Sequence, residues 1–98
     1  FEGIRSMNTS VTTKHFTYML LCADGTIYSG YSTDPLRRVI QHNSGRGAKY
    51  TRSRLPVKLV FTERFSTKSE ALKREARLKR LSHSEKLALI ASCQGFED

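Results

Sequence analysis

Three short apolar runs alternate with segments that carry the three-to-four-residue spacing of amphipathic helices. Residues 16–22 and 26–31 are aromatic, aliphatic or β-branched, which is typical of strands with buried faces. Residues 57–61 form a third run of this kind, which could extend to residue 65. The pattern therefore predicts three strands and three helices in the order β-β-α-β-α-α.

A turn between the first two strands decides which side chains share a face of the sheet. Asp24 and Gly25 are a strong hairpin signal. A two-residue type I′ turn would place Tyr18 and Tyr28 on opposite faces, whereas a three-residue loop with Gly25 as a G1 bulge would place them on one face. The residue pattern does not choose between them. We favour the bulge, because two phenols can serve one site only from the same side.

The first helix begins at Thr33, Asp34 and Pro35, where a capping side chain precedes a proline at the first helical position. It should end near residues 43–45. Arg38 and His42 are four residues apart and should be neighbours on one face of this helix. The apolar stripe expected to face the core consists of Leu36, Val39 and Ile40.

Two capping boxes, at residues 67–70 and 82–85, open the later helices. With a helical rotation of 100° per residue, Glu75 falls inside the apolar stripe of the helix that opens at residues 67–70. A carboxylate that faces the core must be paired, protonated or metal-bound. A buried Glu–Arg pair or a position at the helix edge is the structural alternative. The two apolar stripes consist of Ala71, Leu72, Leu78 and Leu81, and of Leu87, Ile90 and Ala91.

The charge is distributed unevenly along this 98-residue chain. A net charge of +8 favours polyanionic partners, such as nucleic acid or an anionic membrane surface, although a basic surface with no partner would have the same composition. Residues 35–62 hold seven Lys or Arg and no acid, which predicts one anion-attracting surface, although a solvated basic loop would show the same pattern. Gly45 and Gly47 would let backbone N–H groups approach a ligand, and Tyr50 would stack on a base or pack in the protein. The candidate nucleic-acid-binding residues are Arg37, Arg46, Lys49, Tyr50, Arg52 and Arg54.

Length and cysteine content indicate one small domain in a reducing cytoplasm. No apolar run is long enough to cross a membrane. Cys22 and Cys93 form neither a metal-like pair nor a disulfide framework, and Cys22 is predicted to be a small core residue. Residues 1–6 look like a tag remnant before Met7. We expect a flexible lead-in up to residue 15, a domain over residues 16–92 and a frayed terminus over residues 93–98.

The order of these residues resembles the GIY-YIG nuclease superfamily, in particular its small single-domain bacterial branch. Tyr18 is the kept residue of the first motif, in which Phe-Thr-Tyr stands for Gly-Ile-Tyr, and Tyr28 opens the second motif, Tyr-Ser-Gly. Arg38 and His42 follow at the spacing the family shows, and Glu75 takes the place of the metal-binding glutamate. The similarity runs over about residues 16–90. It implies an α+β fold in which three helices flank a three-stranded antiparallel sheet.

The resemblance also implies an endonuclease that hydrolyses phosphodiester bonds in DNA or structured RNA with one Mg²⁺ or Mn²⁺ ion. Glu75 would hold the metal together with waters, and Arg38 would hold a phosphate oxygen. Tyr18 would take a proton from the attacking water, provided that a nearby cation or the metal lowers its pKa. Tyr28 and His42 would position water or relay the proton. A monomer acting on nucleic acid, DNA more than RNA, is expected.

Two other function classes fit the same composition. A nucleic-acid-binding module could keep the fold with little catalysis, and a protein-interaction domain could meet an acidic partner with its basic face. Cross-strand packing would also account for the two tyrosines. The complete set of Tyr18, Tyr28, Arg38 and Glu75 favours the nuclease, because a pure binder has no need of a carboxylate that faces the core.

Overall fold

The computed structural model describes residues 14–94. The expected tag remnant, most of the lead-in and residues 95–98 lie outside this range. In chain order the elements are β1 (His15–Leu21), β2 (Ile27–Ser32), α1 (Pro35–Asn43), α2 (Lys49–Arg52), β3 (Lys58–Phe65), α3 (Lys68–Arg80) and α4 (His83–Gln94). The strands form one antiparallel sheet in the order β2-β1-β3, so the predicted α+β architecture is confirmed.

The hairpin between β1 and β2 has the bulged register. Leu20 lies opposite Tyr28, and the Cys22 backbone N–H donates to the Thr26 carbonyl oxygen at 2.9 Å, which leaves a three-residue loop. Gly25 has a φ of +87°. Side chains two apart on a strand point to the same face, and the pairing therefore places Tyr18 and Tyr28 together, as predicted.

The sheet separates two apolar clusters, one on each face. On one face, side chains from α3 and α4 pack against the strands, and the Thr17 hydroxyl donates to the Ala71 carbonyl oxygen at 2.6 Å. On the other face, α1 contributes Val39 to a cluster around Tyr18 and Cys22, which is buried as predicted. The buried members of the first cluster are Met19, Ile27, Phe61, Leu78 and Ile90, and those of the second are Tyr18, Leu20, Cys22 and Val57.

Side-chain caps hold the helix ends where the sequence indicates them. The Asp34 carboxylate accepts from the Arg37 backbone N–H at 3.2 Å, directly before the proline that starts α1. Ser82 and Glu85 form a reciprocal capping box at the start of α4, with bonds of 3.1 and 2.8 Å. These caps supply partners for backbone N–H groups that no helical carbonyl can reach.

The predicted apolar stripe of α1 is wrong in two of its three positions. Leu36 and Ile40 are 69% and 68% exposed, and only Val39 reaches the core. The helix instead turns Pro35 and His42 inward, because the imidazole finds hydrogen-bond partners there that make its burial tolerable. In the later helices, Leu72, Leu87 and Ala91 are likewise exposed, while Ala71, Leu78 and Ile90 are buried.

The composition of residues 45–56 predicts a basic loop, but the segment is partly helical. It contains α2, a single helical turn that buries Thr51 completely. No helix within residues 14–94 has the length and apolar character needed to cross a membrane.

Candidate active site

Tyr18 reaches the site by lying across the neighbouring strand. It is fully buried in β1, directly opposite Gly30 of β2. A Cβ atom at position 30 would stand 2.6 Å from the Tyr18 hydroxyl oxygen, so the ring occupies the space of the missing side chain. The Tyr28 ring lies on the same face, with its centroid 6.4 Å from that of Tyr18. The glycine of the second motif is therefore what lets the phenol extend toward the free edge of β2.

His42 connects α1 to both Tyr18 and α2. Its Nε2 is 3.1 Å from the Tyr18 hydroxyl oxygen, and its Nδ1 is 2.8 Å from the Thr51 hydroxyl oxygen. The imidazole is fully buried, and a Cβ atom at Gly47 would collide with its ring. The sequence suggested that Gly47 exposes backbone to a ligand, but its role in the structure is to make room for this imidazole.

Burial governs the protonation of both buried groups. It raises the pKa of Tyr18 above the ordinary value of 10.0, with smaller contributions in the same direction from Tyr28 and Glu75, and the adjacent Arg38 guanidinium only partly opposes it. Burial also lowers the pKa of His42 below 6.5, and the Arg38 charge adds to this effect. At neutral pH Tyr18 is therefore a phenol and His42 a neutral imidazole. Arg38 alone does not lower the pKa of Tyr18 below its ordinary value, because desolvation outweighs the effect of this guanidinium.

Arg38 has an unused hydrogen-bond donor beside these rings. Its Nη1 donates to the Gln41 side-chain oxygen at 2.8 Å, while its Nε is buried and meets no acceptor among the described residues. A buried donor without an acceptor costs about 1–3 kcal/mol, and more when it is charged. A phosphate oxygen would satisfy it with a charge-assisted bond.

Glu75 approaches from α3, the helix on the opposite face of the sheet. Its side chain is 18% exposed, it lies near enough to raise the pKa of Tyr18, and its carboxylate accepts from the Lys79 ammonium at 3.1 Å. Within residues 14–94 no group of three or more His, Cys, Asp or Glu could hold a metal ion. A single carboxylate with an open side suits Mg²⁺, which keeps most of its waters and takes one or two protein oxygens. The residues present therefore fit a one-carboxylate Mg²⁺ site.

A groove of about 330 Å³ opens beside this group at the free edge of β2. Its lining brings an aromatic pair next to two lysines, and the Ser29 hydroxyl is buried there without a hydrogen-bond partner in the described part of the chain. The lining residues are Ile27, Tyr28, Ser29, Tyr50, Lys79 and Lys86.

The predicted nucleic-acid-binding residues divide into two kinds. Arg54 is committed within the protein, since its Nε lies 3.0 Å from the Asp24 carboxylate and its guanidinium stacks 3.9 Å above the Tyr50 ring. Tyr50 also stacks on Tyr28, with centroids 6.1 Å apart, so its ring already packs in the protein. The cations with exposed side chains are Arg37, Arg46, Lys49 and Arg52.

Several residues of the site were not singled out from the sequence. Lys79 could have been found, because it stands four residues after Glu75 on the same helix and salt bridges form at that spacing. Thr51 carries no such signal, since its partner His42 is reached through the fold of the basic segment, and Gly47 was singled out for a different role. Gly30 was recognised as part of a motif, without its steric role.

Comparison with known proteins identifies the family. The model of the GIY-YIG catalytic domain matches residues 14–88. The chain belongs to the GIY-YIG family. The resemblance drawn from the tyrosines, Arg38, His42 and Glu75 is thereby confirmed at the level of family, and the GIY-YIG domain here is one of a nuclease family.

Close relatives carry no more specific description. A UPF0213 protein from Staphylococcus saprophyticus is 54% identical over 78 residues, covering 80% of this chain and 95% of the relative. A UPF0213 protein from Halobacterium salinarum is 57% identical over 76 residues, covering 78% and 99%. The NMR structure of a UPF0213 protein from Bacillus halodurans is 47% identical with a TM-score of 0.52, covering 80% of this chain and 83% of the other. An E. faecalis protein solved by NMR is 47% identical with a TM-score of 0.56, covering 83% and 86%.

Proposed function

We propose that this GIY-YIG domain is an Mg²⁺- or Mn²⁺-dependent endonuclease that hydrolyses phosphodiester bonds in nucleic acid. The observation that supports the proposal is a buried Tyr18–His42 pair that lies beside a guanidinium whose Nε meets no acceptor within residues 14–94, and whose tyrosine is in electrostatic range of a carboxylate from another helix. Glu75 lies far along the chain from the others, and local packing does not require it to come this near. DNA is the favoured substrate, and the domain would act as a monomer.

Each residue of this group has a role in hydrolysis that its geometry supports. The free Nε of Arg38 would bind an oxygen of the scissile phosphate and orient it. Tyr18 would accept a proton from the attacking water, and His42, 3.1 Å away, would receive the proton that the phenol releases. Tyr28 packs against both rings and would hold the water on this side of the sheet.

Glu75 would hold the metal ion after exchanging its Lys79 partner for it. The bound ion would supply positive charge near the leaving oxygen of the phosphodiester. On the protein side, Lys79 would remain in the groove with Lys86, where ammonium groups attract phosphate.

A catalytically weak nucleic-acid-binding module is the second candidate. The observation that favours it is the Glu75–Lys79 pair, because a carboxylate with a lysine partner is satisfied without a metal. The two candidates share the basic surface and differ in whether Glu75 takes up a divalent ion.

A cleavage assay separates the candidates. Single-stranded, duplex and branched DNA and RNA are incubated with wild type and Glu75→Gln in Mg²⁺ or Mn²⁺. We expect Glu75→Gln to lose at least about 100-fold in cleavage, since removing one electrostatic stabiliser of the transition state costs about that much. Glu70→Gln, on the exposed first turn of the same helix, is the matched control and should cleave as wild type does. Equal cleavage by Glu75→Gln and wild type, or no cleavage of any substrate, would reject the nuclease in favour of the binding module.

A further inference from the structure

The hydrogen bond between Tyr18 and His42 has a direction that a third residue determines. The Thr51 hydroxyl has a single proton, and the Thr51 hydroxyl oxygen lies 2.9 Å from the Ala48 carbonyl oxygen. A carbonyl can only accept, so the proton of Thr51 is committed to that bond. The second bond of the Thr51 oxygen, 2.8 Å to His42 Nδ1, must therefore take its proton from the imidazole.

This assignment fixes the tautomer of His42. The proton lies on Nδ1, and Nε2 keeps its lone pair, since the hydrogen bond at one ring nitrogen decides the state of the other. Burial lowers the pKa of His42, which agrees with a neutral ring. Nε2 then accepts from the Tyr18 hydroxyl at 3.1 Å, and the phenol proton points at the imidazole.

We propose that Thr51 is a positioning residue of the active site, which holds the proton of His42 on Nδ1 and so leaves Nε2 free to receive the proton of Tyr18. Its chemical consequence rests on the proposed nuclease function, whereas the tautomer is a property of the free protein. During hydrolysis the water oxygen bonds to phosphorus and its proton passes to the Tyr18 oxygen, while the Tyr18 proton passes to Nε2. The bond between phosphorus and the leaving oxygen breaks, and solvent protonates that oxygen. His42 then returns the proton on Nε2 to the Tyr18 oxygen as Tyr18 releases to solvent the proton that it took from water.

The segment that carries Thr51 is built around this contact. In the single turn of α2, the Ala48 carbonyl oxygen accepts two hydrogen bonds from Thr51. One comes from the backbone N–H at 3.1 Å and the other from the hydroxyl. Gly47 gives the imidazole its space, and Thr51 and His42 are both fully buried, so no water competes for these bonds. The basic segment thus supplies a fixed acceptor for Nδ1 as well as surface charge.

The test measures the tautomer directly, by long-range proton–nitrogen NMR of protein labelled with ¹⁵N-histidine. In wild type we expect His42 to show a protonated Nδ1 and a bare Nε2. Thr51→Val has nearly the same shape but no acceptor, and a buried Nδ1–H without a partner is costly, so the proton should move to Nε2. Thr51→Ser keeps the hydroxyl and should keep the wild-type pattern. Thr17→Val, which removes another fully buried threonine hydroxyl on the opposite face of the sheet, should leave the His42 signals unchanged.

Cleavage kinetics supply the second readout. Thr51→Val should lower kcat by about 10- to 100-fold with little change in KM, which is the effect of losing a partner that orients a metal-ligating histidine, and Thr51→Ser should recover the activity. A wild-type His42 with its proton on Nε2 overturns the proposal, as does a folded Thr51→Val with unchanged tautomer. If Thr51→Val does not fold, the wild-type and Thr51→Ser spectra still decide. A protein with the expected tautomer that cleaves no substrate rejects the nuclease function and supports the assignment to Thr51.

Discussion

Tyr18 and His42 are polar residues with no solvent exposure, and the Tyr18 hydroxyl is hydrogen-bonded to Nε2 of His42. Burial therefore does two things at once at the scale of the residue. It removes water that would compete for the bond, and it keeps both groups uncharged at neutral pH. A phenol and an imidazole held in this way can pass a proton between them without either being ionised beforehand.

The lowered pKa of His42 predicts how stability depends on pH. An unfolded histidine takes up a proton near pH 6.5, whereas the folded protein resists protonation of His42 because it is buried beside Arg38. The unfolded state thus binds more protons as pH falls, so stability is fully present above about pH 6.5 and is lost as pH falls from there through the lowered folded pKa. Urea unfolding between about pH 8 and 5 should show this decline and a flatter profile for His42→Gln. His83→Gln, which removes an exposed imidazole, is the control. The prediction would be contradicted if the stability of wild type were as insensitive to pH as that of His42→Gln.

At the scale of the element, local signals located the helices and strands but not always the face they bury. The hairpin register followed from Asp24 and Gly25 together with the requirement for two phenols on one side. The inward face of α1 did not follow from its pattern, because burying His42 requires partners 24 and 9 residues away, which no periodicity within the helix reveals. Glu75 was singled out because it falls inside the apolar stripe of α3. Two members of that stripe, Ala71 and Leu78, are indeed buried.

The Glu75–Lys79 pair on α3 predicts the effect of removing a lysine on metal binding. Lys79→Met removes the ammonium that competes with a divalent ion for the carboxylate. A partly exposed pair at this spacing is worth about 0.3–0.5 kcal/mol, so Mg²⁺ should bind about twofold more tightly. Mg²⁺ titration followed by the backbone signals of α3 provides the measurement. Lys73→Met removes the same charge from an exposed position of the helix and should leave the affinity near wild type. Equal effects of the two variants would show that only net charge matters.

Over the whole molecule, residues 35–62 are the stretch that carries seven Lys or Arg and no acid, but only part of this charge is free to meet a ligand. The exposed cations there can contact phosphate, whereas Arg54 is engaged with Asp24 and Tyr50. Composition alone could not reveal this division, because Asp24 lies on the hairpin, 30 residues from its partner. The family and a three-stranded antiparallel sheet were predictable from ordered motifs, while this pairing depends on how the elements dock.

Salt dependence tests the basic surface as a unit. Affinity for duplex or single-stranded DNA should fall steeply with added salt, and each alanine replacement of Arg37, Arg46, Lys49 or Arg52 should reduce the logarithmic slope by about 1. The combined Lys73, Arg77 and Arg80 alanine variant, which removes exposed charge from α3, is the control and should keep the wild-type slope. Affinity that does not respond to salt, or no affinity at low salt, would favour an acidic protein partner instead.

The complete burial of Tyr18 and His42 affects which residues are conserved among relatives during evolution. These two residues belong to the folding core as well as to the site, so a descendant that no longer used the site would still be penalised for replacing them. Replacing Glu75 or Arg38 would cost the fold less. Glu75 is paired with an exposed lysine, and Arg38 has a buried donor that meets no acceptor within residues 14–94. A relative that keeps Tyr18 and His42 is therefore not shown to be active by those residues. In a relative that has lost the activity, substitutions at Glu75 and Arg38 are expected first.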